Sequence, residues 1–166
     1  MLTNLDGEIL LAETIRDGHD LGDRDLRRAN FVGIAASALE LSGSDLREAD
    51  FSNSTLYWVD LFGADCSDAS FRNSNLQGAN LKSACFRRAN FSGATISYDN
   101  LGKASSFAHA DLTEAILDSV QMSGTLYDAK TIWPVGFNPL EHGLIWTETG
   151  DDWVLDPICH DLSGNS

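Results

Sequence analysis

Residues 49–71 read ADFSNSTLYWVDLFGADCSDASF, and every fifth position of this stretch carries a phenylalanine, leucine or cysteine. The same interval runs through the neighbouring sequence in both directions, at Leu21, Leu26, Phe31, Ala36, Leu41, Leu46, Phe51, Leu56, Leu61, Cys66, Phe71, Leu76, Leu81, Phe86, Phe91, Ile96 and Leu101. Neither an α-helix nor a flat strand brings every fifth residue to one side over such a length. The interval therefore predicts a coiled chain whose turns stack and bury a shared apolar interior.

A second interval of twenty residues gives the length of one turn. Phe31, Phe51, Phe71 and Phe91 recur at this spacing, and each has an alanine two positions earlier, at Ala29, Ala49, Ala69 and Ala89. Residues twenty apart are then expected to lie above one another, with bulky rings in one column and small side chains beside them. Dividing one interval by the other gives four short sides per turn.

These units resemble the pentapeptide-repeat family, whose repeat is written A(D/N)LXX. The matching units are Ala29-Asn30-Phe31, Ala49-Asp50-Phe51, Ala64-Asp65-Cys66, Ala79-Asn80-Leu81, Ala89-Asn90-Phe91 and Ala110-Asp111-Leu112. The resemblance implies an all-β protein, a right-handed quadrilateral β-helix. The segment from Tyr127 to Pro139 looks like the closing segment of cyanobacterial-type members of the family.

The chain is one domain by length, and the repeats divide it into three parts. Residues 1–19 are predicted to form an N-terminal cap, residues 20–127 the β-helix, and residues 128–166 a C-terminal cap with an acidic tail. Caps are expected because the end of a β-helix leaves backbone groups unpaired.

Two structures are open for the N-terminal cap. Residues 7–17 have the features of a short helix, with Asp6 as the possible N-cap residue. Alternatively, Leu5, Leu10 and Ile15 already follow the five-residue interval and form an irregular first turn.

Towards the other end, the five-residue interval shifts by one position near Ser105 and Ser106. Beyond the shift it continues at Phe107, Leu112, Leu117, Met122 and Tyr127. A shift of one residue predicts a bulge or a loosened corner. Trp133 and Phe137, which follow the last repeat, are predicted to plug the open end of the coil.

Acidic residues outnumber basic ones by 25 to 11, which gives a formal net charge of −14. This charge excludes nucleic acid as a direct partner, because a phosphate-binding protein needs surplus lysine and arginine. Many of the carboxylates are predicted to stack in two ladders, Asp20, Glu40 and Asp60 in one column and Asp25, Asp45 and Asp65 in the next. The simpler interpretation of these ladders is a solubilising surface.

An alternative interpretation comes from the family resemblance. Its quinolone-resistance members are acidic rods that occupy the DNA-binding saddle of gyrase, so the ladders would imitate a DNA phosphate backbone. A basic stripe beside the second ladder argues against such a field, at Arg27, Arg28, Arg47, Arg87 and Arg88. Those members also end in an apolar dimerising helix, and the sequence after Pro139 does not resemble one.

A cluster of aromatic residues occupies outward positions of the repeats, at Tyr57, Trp58, Phe62 and Tyr98. Exposed tyrosine and tryptophan are typical of protein interfaces, so this cluster is a candidate partner-binding patch. Alternatively, the C-terminal tail folds back over these rings through Leu144, Ile145, Trp146, Trp153 and Val154.

No pattern in the sequence predicts catalysis, a cofactor or a metal site. The four histidines are scattered without an HExxH motif, and the Cys159-His160 pair has no further ligands at a zinc-like spacing. The aspartates and most glycines follow the repeat and are explained by it. The sequence therefore favours a protein that is not an enzyme.

Several features predict a cytoplasmic protein. The N-terminus lacks the basic start and apolar run of a signal peptide, and no apolar segment reaches the length of a membrane span. Three cysteines, Cys66, Cys85 and Cys159, fit a reducing compartment, since an odd number is a poor disulfide framework. Cys66 is expected to point inward and Cys85 outward, so no bond between them is expected.

The sequence as a whole favours a non-enzymatic scaffold or regulator that binds another protein, as a monomer or a homodimer. The alternative is a DNA mimic that binds DNA gyrase or topoisomerase IV and protects or inhibits it. Fold alone does not choose between these functions.

Overall fold

The computed structural model describes residues 2–3, 9–10, 15–148 and 156–160. In this part the chain is all-β and mostly non-helical. Its regular elements are short: β1 (Leu2–Thr3), β2 (Ile9–Leu10), β3 (Leu126–Tyr127), a 3₁₀-helix (Pro139–His142) and β4 (Ile145–Trp146). β1 pairs with β2 in antiparallel fashion, and β3 pairs with β4 in parallel.

Single parallel bridges between successive turns build the rest of the molecule. From Asp20↔Glu40 to Asn75↔Thr95, every fifth residue bridges the residue 20 positions later. The predicted turn length of 20 residues is therefore confirmed. The right-handed sense and the square cross-section implied by the family resemblance stay predictions.

A residue with the left-handed backbone conformation recurs at each corner of the coil. From Asp23 to Gly93 every fifth residue has a positive φ between 53° and 72°, and most of these residues are not glycine. Such a conformation costs roughly 1–2 kcal/mol for a residue with a Cβ atom. Backbone hydrogen bonds to the next turn compensate for this cost, as where the N–H of Asp23 donates to the carbonyl of Ser42 at 2.8 Å.

The predicted columns fill the interior. Phe31, Phe51, Phe71 and Phe91 are fully buried, and their rings stack nearly parallel at centroid distances of 4.4, 5.0 and 5.0 Å. The alanines two positions earlier are buried beside them, which leaves room for the rings. Offset aromatic stacking adds to the stability that burial alone provides.

The shift near Ser105 and Ser106 is larger than predicted. Asn80 bridges Ser106, 26 residues later, so the fourth turn holds six residues more than the turns before it. The prediction that Leu101 lies in the core is wrong, because Leu101 is 80% exposed and Phe107 is the buried residue of the next turn. An insertion of six residues shifts a five-residue interval by one position, and the interval alone does not distinguish it from a one-residue bulge.

At the N-terminus, the predicted helix over residues 7–17 is wrong where the structure describes it, since Ile9–Leu10 is a strand paired with Leu2–Thr3. The other residues of that helix before Ile15 lie outside the described residues. Ile15 is buried in the core, which favours the alternative of an irregular first turn.

Aromatic side chains close the other end of the coil, as predicted. Trp133 packs edge-on against Phe107 at 5.8 Å and against Tyr127 at 5.9 Å, and its ring stacks on Phe137 at 4.9 Å. β4 adds one more parallel strand beyond β3, and Trp146 contacts Tyr127 edge-on at 5.5 Å. None of the helical segments that the structure describes is long and apolar enough to cross a membrane.

One outward column alternates large and small residues, and two aromatic rings lie over glycines in it. The column runs Ala38, Trp58, Gly78, Tyr98 and Gly124. A Cβ atom at Gly78 would come within 2.5 Å of Cδ1 of Trp58, and one at Gly124 within 2.7 Å of Cδ1 of Tyr98. Glycine is therefore required under each ring by space, and it also adopts the positive φ of these positions without strain.

Alanine at Gly78 is expected to displace Trp58, and alanine at Gly63 is the matched control. Both glycines have a positive φ, but a Cβ at Gly63 meets nothing within 4 Å. We expect Gly63→Ala to cost about 1 kcal/mol for the left-handed conformation, and Gly78→Ala at least about 1 kcal/mol more for the steric clash. Urea unfolding measures both free energies. Equal losses of stability in the two variants would show that Trp58 does not lie over Gly78.

Candidate interaction surfaces

The six inserted residues, 99–104, form a folded loop that begins after Tyr98, and we call residues 98–104 the Asp99 loop. The Asp99 side chain is buried and organises the loop from within. Its Oδ1 accepts hydrogen bonds from the backbone N–H groups of Leu101 at 2.8 Å and Lys103 at 2.7 Å. Its Oδ2 accepts one from Nε1 of Trp58 at 2.5 Å. The Asp99 carboxylate thus both organises the loop and binds it to Trp58 on the side of the coil.

The hydrogen bond from Trp58 lowers the pKa of the Asp99 carboxyl, and burial of the group opposes this effect. The backbone donors of Lys103 and Leu101 add to the lowering. The charged form of Asp99 is therefore the form that holds the loop together.

Three of the four predicted patch residues lie beside this loop. Tyr57 and Trp58 contact each other with ring centroids 6.3 Å apart, and Tyr98 begins the loop with its ring 55% exposed. Gln77 donates to the carbonyl of Tyr98 at 3.1 Å. Sequence analysis missed Leu101, which projects from the same loop. We call Tyr57, Trp58, Tyr98 and Leu101 together the loop patch.

Phe62 does not belong to the loop patch, contrary to the prediction. It lines a separate groove with Asp23, Asp45, Ile158 and His160. Phe62 occupies the first side of its turn, whereas Tyr57 and Trp58 occupy the last side of the preceding turn, so a corner of the coil intervenes.

The expected cover of the patch by the tail is also wrong for the residues that the structure describes. Ile145 and Trp146 form β4 and pair with β3 at the closing end. Leu144 is buried there with the core. Trp153 and Val154 lie outside the described residues. Tyr98 and Leu101 are consequently open to solvent in the described structure.

The first acidic ladder stacks as predicted, and its carboxylates form no ion pairs within the described residues. Asp20, Glu40 and Asp60 are linked by consecutive parallel bridges. Each carboxylate accepts the backbone N–H two residues later, at 2.9–3.0 Å. Within the described ranges no lysine, arginine or histidine forms an ion pair with these three residues. The ladder therefore presents uncompensated negative charge.

The second ladder also stacks, but arginines neutralise it. Arg27 binds Asp25 at 2.5 Å and lies 3.6 Å from Asp45, and Arg47 binds Asp45 at 2.6 Å. The hydrogen bond from Arg27 lowers the pKa of Asp25. Burial disfavours the charged form of Asp45, but the hydrogen bonds from Arg47 outweigh it and lower that pKa as well. The predicted basic stripe thus cancels much of the field of this ladder.

A bridge position of the second ladder carries a disulfide bond. Cys85 follows Asp65 in the column and is bonded to Cys159, across a sequence separation of 74 residues. Cys66 is buried and free, so the expectation of no Cys66–Cys85 bond is confirmed. The argument that three cysteines make a poor disulfide framework is wrong, because two of them pair and the third is in the core. The cytoplasmic location stays a prediction, without support from the cysteines.

Ser83, His109 and Asp128 are buried polar residues of types that occur in catalytic triads. Nδ1 of His109 lies 2.5 Å from Oδ2 of Asp128, and both side chains are buried. Within the described structure the buried Ser83 Oγ and His109 Nε2 have no hydrogen-bond partner, so the serine is not activated by the histidine. No group of three or more potential metal ligands is arranged around a common point among the described residues.

Acid is expected to release the Asp99 loop. Because the pKa of Asp99 is lowered in the folded state, its stabilising hydrogen bonds are complete above the ordinary aspartate pKa of about 3.9 and are lost as pH falls through the lowered value. Amide hydrogen exchange at Leu101 and Lys103, measured by NMR from pH 6 downwards, should show protection that disappears in this range. In Asp99→Asn the protection should not depend on pH in this way. Protection that persists in the parent to the acid unfolding of the coil would contradict the assigned role of Asp99.

Comparison with known proteins agrees with this architecture. A family model described as pentapeptide repeats matches eight copies of the repeat, over residues 25–61 and 54–93. No curated protein sequence is significantly similar to the chain.

Among solved structures, the chain is similar to the pentapeptide repeat protein Rfr23 from the cyanobacterium Cyanothece 51142, with 28% identity and a TM-score of 0.54. That match covers 60% of this chain and 63% of Rfr23. A pentapeptide repeat protein from the thylakoid lumen of Arabidopsis thaliana shares 28% identity with a TM-score of 0.45, over 55% of this chain and 62% of that one.

A trypsin-treated form of the plasmid-mediated fluoroquinolone resistance protein QnrB1 is more distant. It shares 20% identity with a TM-score of 0.35, over 74% of this chain and 60% of its own. The chain thus covers less than two thirds of the length of each of these three structures. The repeated bridges, the stacked columns and the matched repeats together show that the chain belongs to the pentapeptide-repeat family.

Proposed function

We propose that the protein is a non-enzymatic scaffold, a right-handed quadrilateral β-helix that binds another protein through the loop patch. The observation that carries this proposal is the Asp99 loop, which interrupts a regular coil and presents Leu101 and Tyr98 to solvent. A rigid framework that holds a projecting loop is a common arrangement for binding sites.

The anchoring of the loop favours binding. Three hydrogen bonds converge on the Asp99 carboxylate, so the loop is held in one conformation before a partner arrives. Binding to a preorganised surface loses less conformational entropy than binding to a flexible one. The loop would therefore bind a partner without first having to fold.

The composition of the patch also favours a protein partner. The rings of Trp58 and Tyr57 contact each other within the patch. Tyrosine and tryptophan are enriched among the residues that dominate binding energy at protein interfaces. Leu101 is the most protruding apolar side chain of the loop, and its full burial against a partner would contribute about 2 kcal/mol.

Leu101→Asp is the variant that tests this function, and Val135→Asp is the matched control. Both side chains are highly exposed, but Val135 lies in the closing segment, outside the patch. Proteins captured by the immobilised parent would be identified, purified and titrated against both variants by calorimetry. We expect Leu101→Asp to weaken binding at least about tenfold, since about 1.4 kcal/mol corresponds to a factor of ten. Val135→Asp should bind as the parent does.

Equal affinity of parent and Leu101→Asp for every captured partner would overturn the proposed binding site. Urea unfolding of both variants should give the free energy of unfolding of the parent, because neither side chain is buried in the coil.

The first acidic ladder favours a second candidate function, that of a DNA mimic acting on DNA gyrase or topoisomerase IV. Asp20, Glu40 and Asp60 stack without a basic partner in the described structure, at the inter-strand spacing of about 4.8 Å. The second ladder is a poorer mimic because Arg27 and Arg47 neutralise it. The mimicry, if it is the function, resides on the first ladder.

A supercoiling assay with purified gyrase separates the two candidate functions. If the protein is a DNA mimic, the parent should inhibit supercoiling or protect it from a quinolone. A triple variant should lose this effect; it combines Asp20→Asn, Glu40→Gln and Asp60→Asn. The matched control combines Asp25→Asn, Asp45→Asn and Asp65→Asn, which removes the same number of charges from the neutralised ladder. No effect of the parent at any concentration would eliminate the DNA-mimic function and leave the scaffold.

A further inference from the structure

The second acidic ladder becomes buried along its length. The exposed fraction of the side chain is 48% at Asp25, 23% at Asp45, and 3% at both Asp65 and Asp111. These residues occupy equivalent outward positions on successive turns, with Cys85 between the last two. Arg47 lies 4.0 Å from Asp65 and Arg87 lies 2.7 Å from Asp111, so these side chains account for part of the burial. The C-terminal part of the chain also contacts both carboxylates.

Residues 156–160, which we call the cover segment, lie over this part of the ladder. Cys159 is bonded to Cys85, and its Sγ is 3.8 Å from Oδ2 of Asp111. His160 is the next residue, and both its backbone N–H, at 2.7 Å, and its Nδ1, at 2.8 Å, contact Oδ2 of Asp65. A covalent bond and a polar contact on adjacent residues thus attach the segment to the ladder.

The two oxygens of Asp65 have different partners. Oδ1 accepts from the backbone N–H and the hydroxyl of Ser67, at 3.0 and 2.6 Å, within the coil. Oδ2 accepts from His160, and the guanidinium of Arg47 lies 4.0 Å away. If the cover segment leaves, Oδ2 loses both of its close donors while Asp65 stays fixed by Ser67. A preorganised carboxylate oxygen is then open to a new donor.

We propose that the cover segment is a redox-controlled cover over the Asp65 carboxylate, which binds a cationic peptide segment once it is uncovered. Asp111 stays paired with Arg87 at 2.7 Å and is not part of the binding site. A dithiol reductant supplies two electrons and two protons to the Cys85–Cys159 bond. The S–S bond breaks, each sulfur becomes a thiol, and the dithiol closes to its own disulfide. What remains is the His160 contact, which is half-exposed, and such contacts contribute little on their own.

The groups that the cover segment presents to Asp65 indicate what kind of ligand could replace it. It is an extended stretch of chain that gives Asp65 one backbone N–H and one nitrogen of a side chain that is cationic when protonated. A peptide with lysine or arginine in an extended conformation would make the same contacts with a permanent positive charge. This surface is separate from the loop patch, so the inference does not depend on the proposed scaffold function.

Release of the cover segment is measured through the amide hydrogen of His160. Its exchange by NMR should be slow in the oxidised protein and at least about a hundredfold faster after dithiothreitol. Cys159→Ser should exchange fast in both conditions. Cys66→Ala, which alters the free core cysteine, should keep the redox dependence of the parent. Unchanged protection of His160 after reduction, or three free thiols before it, would overturn the proposal.

Binding of a cationic peptide to the uncovered Asp65 is measured by the fluorescence anisotropy of a labelled tetra-arginine peptide at low ionic strength. The general attraction to a chain of charge −14 is common to all variants. We expect Cys159→Ser to bind at least about tenfold more tightly than the oxidised parent, and the added substitution Asp65→Asn to remove most of that gain. Equal affinity of Cys159→Ser and the oxidised parent, or a gain that survives Asp65→Asn, would exclude this surface as the binding site.

Discussion

Backbone hydrogen bonds between turns set the register on which every other feature of this molecule depends. Leu21 donates to the carbonyl of Glu40, and Glu40 donates to that of His19, at 2.8 and 2.9 Å. Because these bonds repeat every 20 residues, they bring like side chains above one another. The phenylalanine stack and both acidic ladders are consequences of this register. Stability in such a coil comes from contacts between neighbouring turns rather than from one compact core.

The two places where the molecule departs from the register are its most distinctive surfaces. The 99–104 insertion projects from one side and holds Leu101 in solvent around a buried carboxylate. The cover segment is bonded to Cys85 on another side. A regular repeat offers equivalent positions on every turn, whereas a departure distinguishes one turn from the others. Specific recognition requires such a distinction, so we assign the binding surfaces to these departures.

Repeated features were predictable from the sequence, and unique ones were not. The Phe71 column was predicted because the same residue recurs four times at one spacing. The position of Leu101 was predicted wrongly because an insertion of six residues and one of a single residue shift a five-residue interval equally. The turn-forming residues Asn100 and Gly102 were a signal of the loop that the interval concealed. The Cys85–Cys159 bond joins residues that are 74 positions apart, and no local sequence pattern relates them. Asp99 is buried only because the Asp99 loop folds around it, so its role was not visible without the loop.

The fourth turn is longer than the turns before it because residues 99–104 are excluded from the coil. Nuclear Overhauser contacts between backbone protons test it directly. The account predicts contacts of residues 80 and 81 with residues 106 and 107, as the Asn80↔Ser106 bridge requires. Contacts of residues 80 and 81 with residues 100 and 101 instead would restore the 20-residue spacing, place Leu101 in the core and contradict the loop patch.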